Sequence, residues 1–432
     1  MLRTMRPDRA DHIARAGAFN GRVKYVMRAA AAIGEDGTAT AERTGAEAKR
    51  YSRSKLTIGL VKLLGSIVFL LVFLLSGASW RLDERISRYT DNYYLRLTAY
   101  VPAFMAIYWA VLLALDYYSG VVLEQRYGLS NQTPGRWLLR EIKQWLLSTL
   151  LAIGSFLLLY RAIRGLPQWW WLAAAAGWFV MLVLIGKITP AIVVPLFYKL
   201  RPLTDQELAE KLFALAGRCG VPVGHVLEIR LSKETKKANA AVVGLGRNRR
   251  ILIGDTLLDL CSHDEIEAVF AHELGHVALH HDWKLLGAGA ALSVIGFYLL
   301  YLLLGPSARS LGFAGQGDIA AFPLLLLWLT LFGLAVRPLQ AAGSRRFERQ
   351  ADLFIVGRVE QPQALISALD KLAERNLADP DPSRLVEILF YDHPPTAKRI
   401  DYLRKATNAA SPSRVVQSAT SPDQIVTRSK VT

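Results

Sequence analysis

The sequence predicts a mainly α-helical integral membrane protein with about six membrane spans and a smaller, water-soluble α+β part. Two observations lead to this fold class. Hydrophobic residues make up 52% of the 432-residue chain, and they are concentrated in blocks about as long as a bilayer-spanning helix. Between the fourth and fifth blocks the sequence becomes water-compatible and contains short, strand-like runs.

Six apolar blocks account for the predicted membrane part. Runs such as IVFLLVFLL and PLLLLWLTLFGL have no polar face, which argues against buried helices of a soluble protein. The first block follows a polar stretch of 55 residues, so it is predicted to be an internal anchor and not a cleavable signal peptide. The blocks are residues 56–80, 98–122, 144–159 with its flanks, 169–188, 285–304 and 319–336.

The alternation of apolar and polar stretches predicts the domain boundaries. A polar, basic and partly flexible N-terminal region covers residues 1–55, and a four-span region covers 56–199. A first soluble segment follows at 200–283, then a two-span hairpin at 284–341 and a second soluble segment at 342–406. Residues 407–432 are rich in Ser, Thr and Val without a pattern, which predicts a disordered tail.

The net charge of +16 is distributed unevenly along the chain. If the N-terminus lies inside the cell, 42 of the 52 Lys and Arg residues fall on the cytoplasmic side and 7 on the opposite side. Because positive residues favour the cytoplasmic side, both termini and the soluble segments are predicted to face the cytoplasm. The charge is therefore interpreted as membrane topology and contact with the lipid bilayer, and no nucleic-acid partner is predicted.

The soluble segments carry signals for helix starts and strands. Thr204 with Glu207, and Ser262 with Glu265, form the pattern of a capping box at the start of a helix. Strands are predicted at 225–231, 240–245 and 250–253, with the last two joined as a hairpin. Further helices are predicted at 343–359, 362–377 and 393–406.

The motif HELGH at residues 272–276 carries the strongest functional signal. Residues four apart share a helix face, so His272 and His276 can direct ring nitrogens at one metal ion. Glu273 is the next residue of the helix after His272, so its carboxylate can reach a water molecule bound to that metal. Zinc lowers the pKa of such a water to about 7 and polarises a carbonyl, while the carboxylate takes the proton. The two cysteines form no CxxC pattern, so His and carboxylate must hold the metal.

A catalytic zinc ion needs a third protein ligand, and the sequence leaves its source open. His280 and His281 are nearby, but a ligand one further turn along a straight helix stands too far away, so both are predicted to be bystanders. The better candidate segment is SRRFERQAD, in which Glu348 lies 72 residues beyond His276. Glu348 can complete the site and Asp352 can orient a ligating imidazole. Taken alone, however, this segment is better interpreted as a solvated charged helix.

The ordered set of motifs resembles a known family. HELGH, a two-span interval, FERQAD and then HPPTAKRI, with RYGLSNQT and NAAVVGLG upstream, resemble the integral-membrane zinc proteases of the CAAX prenyl protease 1 type. Their bacterial relatives include heat-shock-linked membrane proteases. The resemblance implies that the two soluble segments form one zincin-like (gluzincin) catalytic domain. Eukaryotic members have seven spans enclosing a chamber, so six predicted spans leave the closure of a chamber open.

The resemblance also implies the roles of the central residues. One zinc ion per chain would bind His272, His276 and Glu348, with Glu273 as the general base. His393 matches a histidine near the site that is suited to stabilising the tetrahedral oxyanion. The alternative for His393 is a residue that only begins a helix.

Outside the zinc ligands, the resemblance implies supporting residues and a substrate-binding strand. Asp352 would orient a ligand imidazole, and Arg399 would pair with carboxylates of the site. Asn239 and Ala240 match an edge strand to which a peptide would add through backbone hydrogen bonds. A plain turn is the alternative role of Asn239.

The predicted function is a zinc endopeptidase that acts on peptides or membrane proteins near the cytoplasmic face. Ala- and Arg-rich composition suggests a bacterium, hence the inner membrane and a role in membrane-protein processing or quality control. A dedicated CAAX-type prenyl-peptide protease is the alternative within the enzyme class. A zinc-binding transporter or scaffold without catalysis is the alternative outside it. The oligomeric state is not predicted.

Overall fold

Long helices dominate the computed structural model, which describes residues 45–244, 246 and 249–410. In chain order the helices are α1 (Gly45–Leu75), α2 (Ala78–Ser87), α3 (Tyr93–Arg126), α4 (Pro134–Gly165), α5 (Trp170–Phe197), α6 (Gln206–Arg218), α7 (Asp255–Leu258), α8 (His263–Ala278), α9 (His281–Ser310), α10 (Ile319–Phe354), α11 (Ala364–Asn376), α12 (Arg384–Phe390) and α13 (Thr396–Ala410). Within the described residues, six of them are long and apolar enough to cross a bilayer, namely α1, α3, α4, α5, α9 and α10. The predicted six-span membrane protein is therefore confirmed.

Parts of both predicted terminal regions belong to helices. Residues 45–55 of the predicted N-terminal region belong to α1, and residues 407–410 of the predicted tail belong to α13. The remainder of both regions, residues 1–44 and 411–432, lies outside the described residues.

The outer faces of the spans are covered with exposed apolar side chains. Leu64, Leu150 and Leu158 are 61%, 68% and 74% exposed, respectively. An apolar surface of this extent is unfavourable in water, so it requires the hydrocarbon of a bilayer. Towards the inside, a separate buried core is rich in aromatic residues, among them Tyr100, Phe104, Tyr160, Trp170 and Phe322.

The soluble part is built on a four-stranded sheet with the order β1-β2-β4-β3. Its strands are β1 (Leu200–Pro202), β2 (His225–Ile229), β3 (Ala240–Val243) and β4 (Arg250–Gly254). The predicted antiparallel hairpin of β3 and β4 is confirmed, whereas β2 and β4 are parallel. β1 was not predicted, because three residues that include a proline give no alternating pattern. β3 lies at an edge of the sheet and contacts α8.

One predicted helix start is wrong and the other is confirmed. Helix α6 is capped by Asp205, whose side chain accepts a hydrogen bond from Leu208 N, and not by Thr204. Helix α8 begins with the predicted capping box of Ser262 and Glu265. This box matters for the site, since it fixes the first turn of the helix that carries HELGH.

Helices α9 and α10 return the chain to the soluble part. Helix α10 runs from the membrane part to Phe354 without a break, so the predicted sixth span and the FERQAD helix are one element. The connection between α8 and α9 is a sharp turn instead, with His280 in the left-handed conformation at φ 56°. This hairpin brings the second soluble segment beside α8.

Candidate metal centre

Two packed helices position the predicted site, α8 with HELGH and α10 with Glu348 and Asp352. They approach closely at Gly275, where a Cβ atom would lie 3.0 Å from the ring of Phe354. A larger residue at this position of the motif would require Phe354 to shift by a few tenths of an ångström. Glu348 and Asp352 are buried, at 4% and 0% exposure, so the interpretation of their segment as a solvated charged helix is wrong.

Three side chains converge between these helices. The Nε2 atoms of His272 and His276 lie 3.3 Å apart. The carboxylate of Glu348 lies 3.4 Å from the first of these nitrogens through Oε2 and 3.2 Å from the second through Oε1. Among the described residues, these three form the group of ligand-type side chains close enough to share one metal ion.

The spacing of the three ligand atoms fits a zinc ion. A tetrahedral zinc bound at about 2.0–2.1 Å separates its ligand atoms by about 3.3 Å, and the two imidazole nitrogens and the carboxylate oxygen nearest to each of them lie at such separations. Two imidazoles and one carboxylate leave the fourth position free for water or substrate, as in catalytic zinc sites.

Glu273 and His393 are the two predicted catalytic residues beside the three ligands. The side chain of Glu273 is half-buried, and it makes no hydrogen bond or ion pair with any described residue. Its carboxylate therefore remains available to act as an acceptor for a proton. His393 is exposed, and its Nδ1 lies 2.8 Å from Oε2 of Glu348. The structure thus brings His393 into contact with the group of three, and Glu273 adjoins that group as the residue after His272 in α8.

Asp352 supports His272 from behind. Its Oδ1 lies 2.8 Å from Nδ1 of His272, which directs the Nε2 of that ring towards the site. Arg399 donates two hydrogen bonds to the carboxylate, of 2.9 Å from Nε and 2.6 Å from Nη2. Tyr402 donates a further hydrogen bond through its hydroxyl group. A second contact of Arg399, at 3.9 Å, reaches Glu348.

These ion pairs and the burial of the site shift the pKa values of its residues. Burial alone would lower the pKa of His272, but hydrogen bonds to Asp352 and Glu348 raise it to about 9. Burial would likewise lower the pKa of Arg399, yet Asp352 raises it above its ordinary value. Burial and the neighbouring Asp352 raise the pKa of Tyr402. Asp352 thus stabilises the charged forms of both His272 and Arg399.

The prediction that both His280 and His281 are bystanders is wrong for His281. Its Nδ1 lies 3.0 Å from Nδ1 of His276, and its Nε2 lies 2.9 Å from Oε1 of Gln350. His280 is exposed and forms the turn between α8 and α9. The assumption of a straight helix caused the error, because the left-handed residue folds His281 back against the site. Gln350 and Tyr402 were also missed, and no sequence motif marks either residue as part of a site.

The predicted substrate strand lies beside the HELGH helix. Ala240 is the first residue of the edge strand β3, and Asn239 immediately precedes it. The carbonyl oxygen of Asn239 accepts a hydrogen bond of 3.0 Å from Gly254 N. Backbone groups alternate in direction along an antiparallel strand, so those of Ala240 and Val242 point to the open edge.

Two family models match this architecture. The model described as peptidase family M48 matches residues 202–407, which contain HELGH, the two-span hairpin and all the side chains of the candidate site. The model described as CAAX prenyl protease N-terminal, five membrane helices, matches residues 38–199. Four of the long apolar helices, α1, α3, α4 and α5, lie in that range.

Curated relatives and a solved structure agree with the family models. A Bacillus subtilis protein named uncharacterized metalloprotease YhfN is 30% identical over 84% of this chain and 86% of its own length. The CAAX prenyl protease 1 homolog of Arabidopsis thaliana is 31% identical over 72% of this chain and 74% of its own length. The crystal structure of S. mikatae Ste24p superposes with a TM-score of 0.74 at 26% identity, covering 84% of this chain and 88% of that one. The chain therefore belongs to peptidase family M48 and is an integral membrane metalloprotease.

Proposed function

We propose that this metalloprotease is a zinc endopeptidase in which His272, His276 and Glu348 hold one zinc ion per chain. The observation that carries the proposal is the convergence of two imidazole nitrogens, 3.3 Å apart, on one carboxylate, whose oxygen nearest to each lies 3.4 Å from the first nitrogen and 3.2 Å from the second. Oxygen-binding ions such as Mg²⁺ and Ca²⁺ are disfavoured because two of the three ligands are imidazoles.

Glu273 is the general base of the proposed reaction. Bound zinc would supply a water of lowered pKa and polarise the scissile carbonyl. The carboxylate of Glu273 has no other partner among the described residues, so it can take the proton of the attacking water and pass it to the leaving amine. His393, beside the three ligands, is suited to donate a hydrogen bond to the oxyanion. Asp352 and Arg399 hold His272 in place.

A peptide substrate would bind to strand β3. The outward-facing backbone groups of Ala240 and Val242 offer a ladder of hydrogen bonds to an extended chain, and the strand lies next to α8. In strand addition of this kind, the substrate is bound through its backbone more than through its side chains. We therefore propose a broad range of substrates.

The proposed substrates are membrane proteins or their fragments at the cytoplasmic face of a bacterial inner membrane. Three features support this location: the chain is integral to the membrane, the bias of Lys and Arg favours a cytoplasmic soluble part, and one relative is a Bacillus subtilis protein. Processing or quality control of membrane proteins is the corresponding cellular role. Nothing in the charge pattern favours a nucleic-acid partner.

A dedicated CAAX prenyl-peptide protease is the second candidate, because several relatives carry that name. Cleavage of matched peptides with and without a farnesyl group separates the two candidates. A strong preference for the farnesylated peptide favours the second. A transporter or scaffold without catalysis has no use for an unpartnered glutamate next to the first zinc ligand.

The substitution Glu273→Gln tests the proposed reaction. It removes the base and leaves the three ligands in place, so the purified variant is expected to retain one zinc ion per chain and to lose at least about 100-fold in hydrolysis of a reporter peptide. Glu360→Gln, at an exposed position away from the site, is the matched control and should leave both quantities unchanged. Full hydrolysis by Glu273→Gln would contradict the assignment of the base.

A further inference from the structure

His281 occupies an unusual place for a residue at the start of a membrane span. It is 1% exposed, and its ring stacks on Phe347 of α10 with 4.4 Å between ring centroids and 18° between ring planes. One ring nitrogen faces His276 at 3.0 Å and the other faces the side-chain oxygen of Gln350 at 2.9 Å. Both nitrogens and one face of the ring are therefore engaged.

The backbone before His281 is shaped to produce this position. His280 has φ 56°, a conformation that a residue with a Cβ atom adopts at a cost of about 1–2 kcal/mol. This residue reverses the chain direction after α8, so that a side chain five positions beyond His276 packs against it. A strained turn persists only where the surrounding contacts favour it, and the contacts here are those of His281 and the ion pair of Asp282 with Arg249, 2.7 Å long.

The chemistry of the three side chains fixes one arrangement of protons. If His276 binds zinc through Nε2, its Nδ1 must carry the proton and donate it to Nδ1 of His281. Nδ1 of His281 is then an acceptor, so the proton of that neutral ring lies on Nε2. From there it is donated to Oε1 of Gln350, which is an acceptor only. Every donor meets an acceptor, and no other assignment of neutral rings does so.

We infer that His281 is a positioning residue for zinc, acting through His276. It holds the imidazole of His276 in the required tautomer and orientation, a task that Asp352 performs for His272. This inference rests on the proposed zinc site. Because His281 is the first residue of α9, the coordination geometry of the zinc site then depends on how the two-span hairpin packs.

The inference is tested by zinc affinity and not by turnover. All variants are made in a Glu273→Gln background, purified as full chains in detergent, and titrated with zinc against a competing chelator. His281→Phe keeps a ring on Phe347 but has no acceptor for His276, and is expected to weaken zinc binding about 10-fold or more. His281→Gln can accept from His276 through Oε1 and donate to Gln350, and is expected to restore affinity to within about 3-fold of the parent.

Two further measurements separate a positioning role from a structural one. The thermal midpoint of the metal-free protein should be similar for His281→Phe and His281→Gln, so that only the zinc-dependent increase differs between them. Zinc affinity of His281→Phe equal to that of the parent, or an equal loss in both variants, would overturn the inference. His276→Ala is measured in parallel. If this variant retains full zinc affinity, the proposed zinc site is wrong. If His276→Ala loses zinc affinity but His281→Phe does not, only the role of His281 is refuted.

Discussion

The two imidazoles of the candidate metal centre are supported in different ways. His272 is buried against the carboxylate of Asp352, which Arg399 and Tyr402 hold in turn. His276 is about a quarter exposed, and it is supported by the ring of His281. We call these the carboxylate side and the imidazole side of the site.

Asp352 and Gln350 both lie on α10, but the other partners on the two sides come from different helices. Arg399 and Tyr402, on the carboxylate side, come from helix α13 of the soluble part. His281 and Gln350, on the imidazole side, come from the two helices of the membrane hairpin. A charged partner increases the basicity of a ligand more than a neutral one does, and it requires more compensating contacts when it is buried. The comparison therefore predicts that the carboxylate side dominates stability, while the imidazole side affects mainly the metal.

The largest effect is expected for Asp352→Ala. The change removes both hydrogen bonds that Arg399, which is only 12% exposed, donates to Asp352, and it leaves the guanidinium only the 3.9 Å contact with Glu348. Loss of one member of a buried ion pair lowers the free energy of unfolding by about 3–5 kcal/mol. The measurement is denaturant-dependent labelling of buried Cys261 in a Cys219→Ser background, on metal-free protein. Asp370→Ala, at an exposed position, is the control. If Asp352→Ala lowers the free energy of unfolding by less than about 1 kcal/mol, the carboxylate side does not stabilise the fold.

An intermediate effect, confined to the metal, is expected for Gln350→Leu. The substitution removes the acceptor of His281 but leaves His281 itself beside His276. Zinc affinity should fall by a factor of about 2–5, which is less than for removal of a direct partner of a ligand. The free energy of unfolding of the metal-free protein should change by less than about 1 kcal/mol. If stability falls as far as in Asp352→Ala, the proposed division between the two sides is wrong.

The smallest effect is expected for His280→Gly. Glycine adopts the left-handed conformation without the steric penalty, although it also increases the entropy of the unfolded chain. The two contributions oppose each other, so the free energy of unfolding should change by less than about 1 kcal/mol and zinc affinity should remain that of the parent. A 10-fold decrease in the zinc affinity of this variant would show that His280 contributes to zinc binding, and it would contradict the assignment of that role to His281.

Features with a local or compositional cause could be predicted from the sequence. The six spans follow from hydropathy, and the convergence of His272 and His276 follows from helix periodicity. The capping box of Ser262 and Glu265 is likewise local. In each case the residues that produce the feature are neighbours in the chain, so no tertiary contact decides the outcome.

Features that depend on tertiary contacts could not be predicted in the same way. Glu348 and Asp352 look like a solvated helix face in isolation, and only packing against α8 buries them. The segment itself offered Glu348 as a candidate third ligand, but only the resemblance to a family favoured that role over a solvated helix. The contact of His281 requires a left-handed histidine at 280, and no residue type there signals one. Asp205 caps α6 in place of the adjacent Thr204, which shows how closely two good capping residues compete.

The central claim is that one zinc ion is bound by both imidazoles and by Glu348. Crystals of the zinc-loaded Glu273→Gln variant, measured on either side of the zinc absorption edge, test it most directly. We predict a single anomalous peak per chain at about 2.0–2.2 Å from Nε2 of His272, Nε2 of His276 and the carboxylate of Glu348. A peak bound by other side chains, or the absence of a peak in protein shown to contain zinc, would contradict the account.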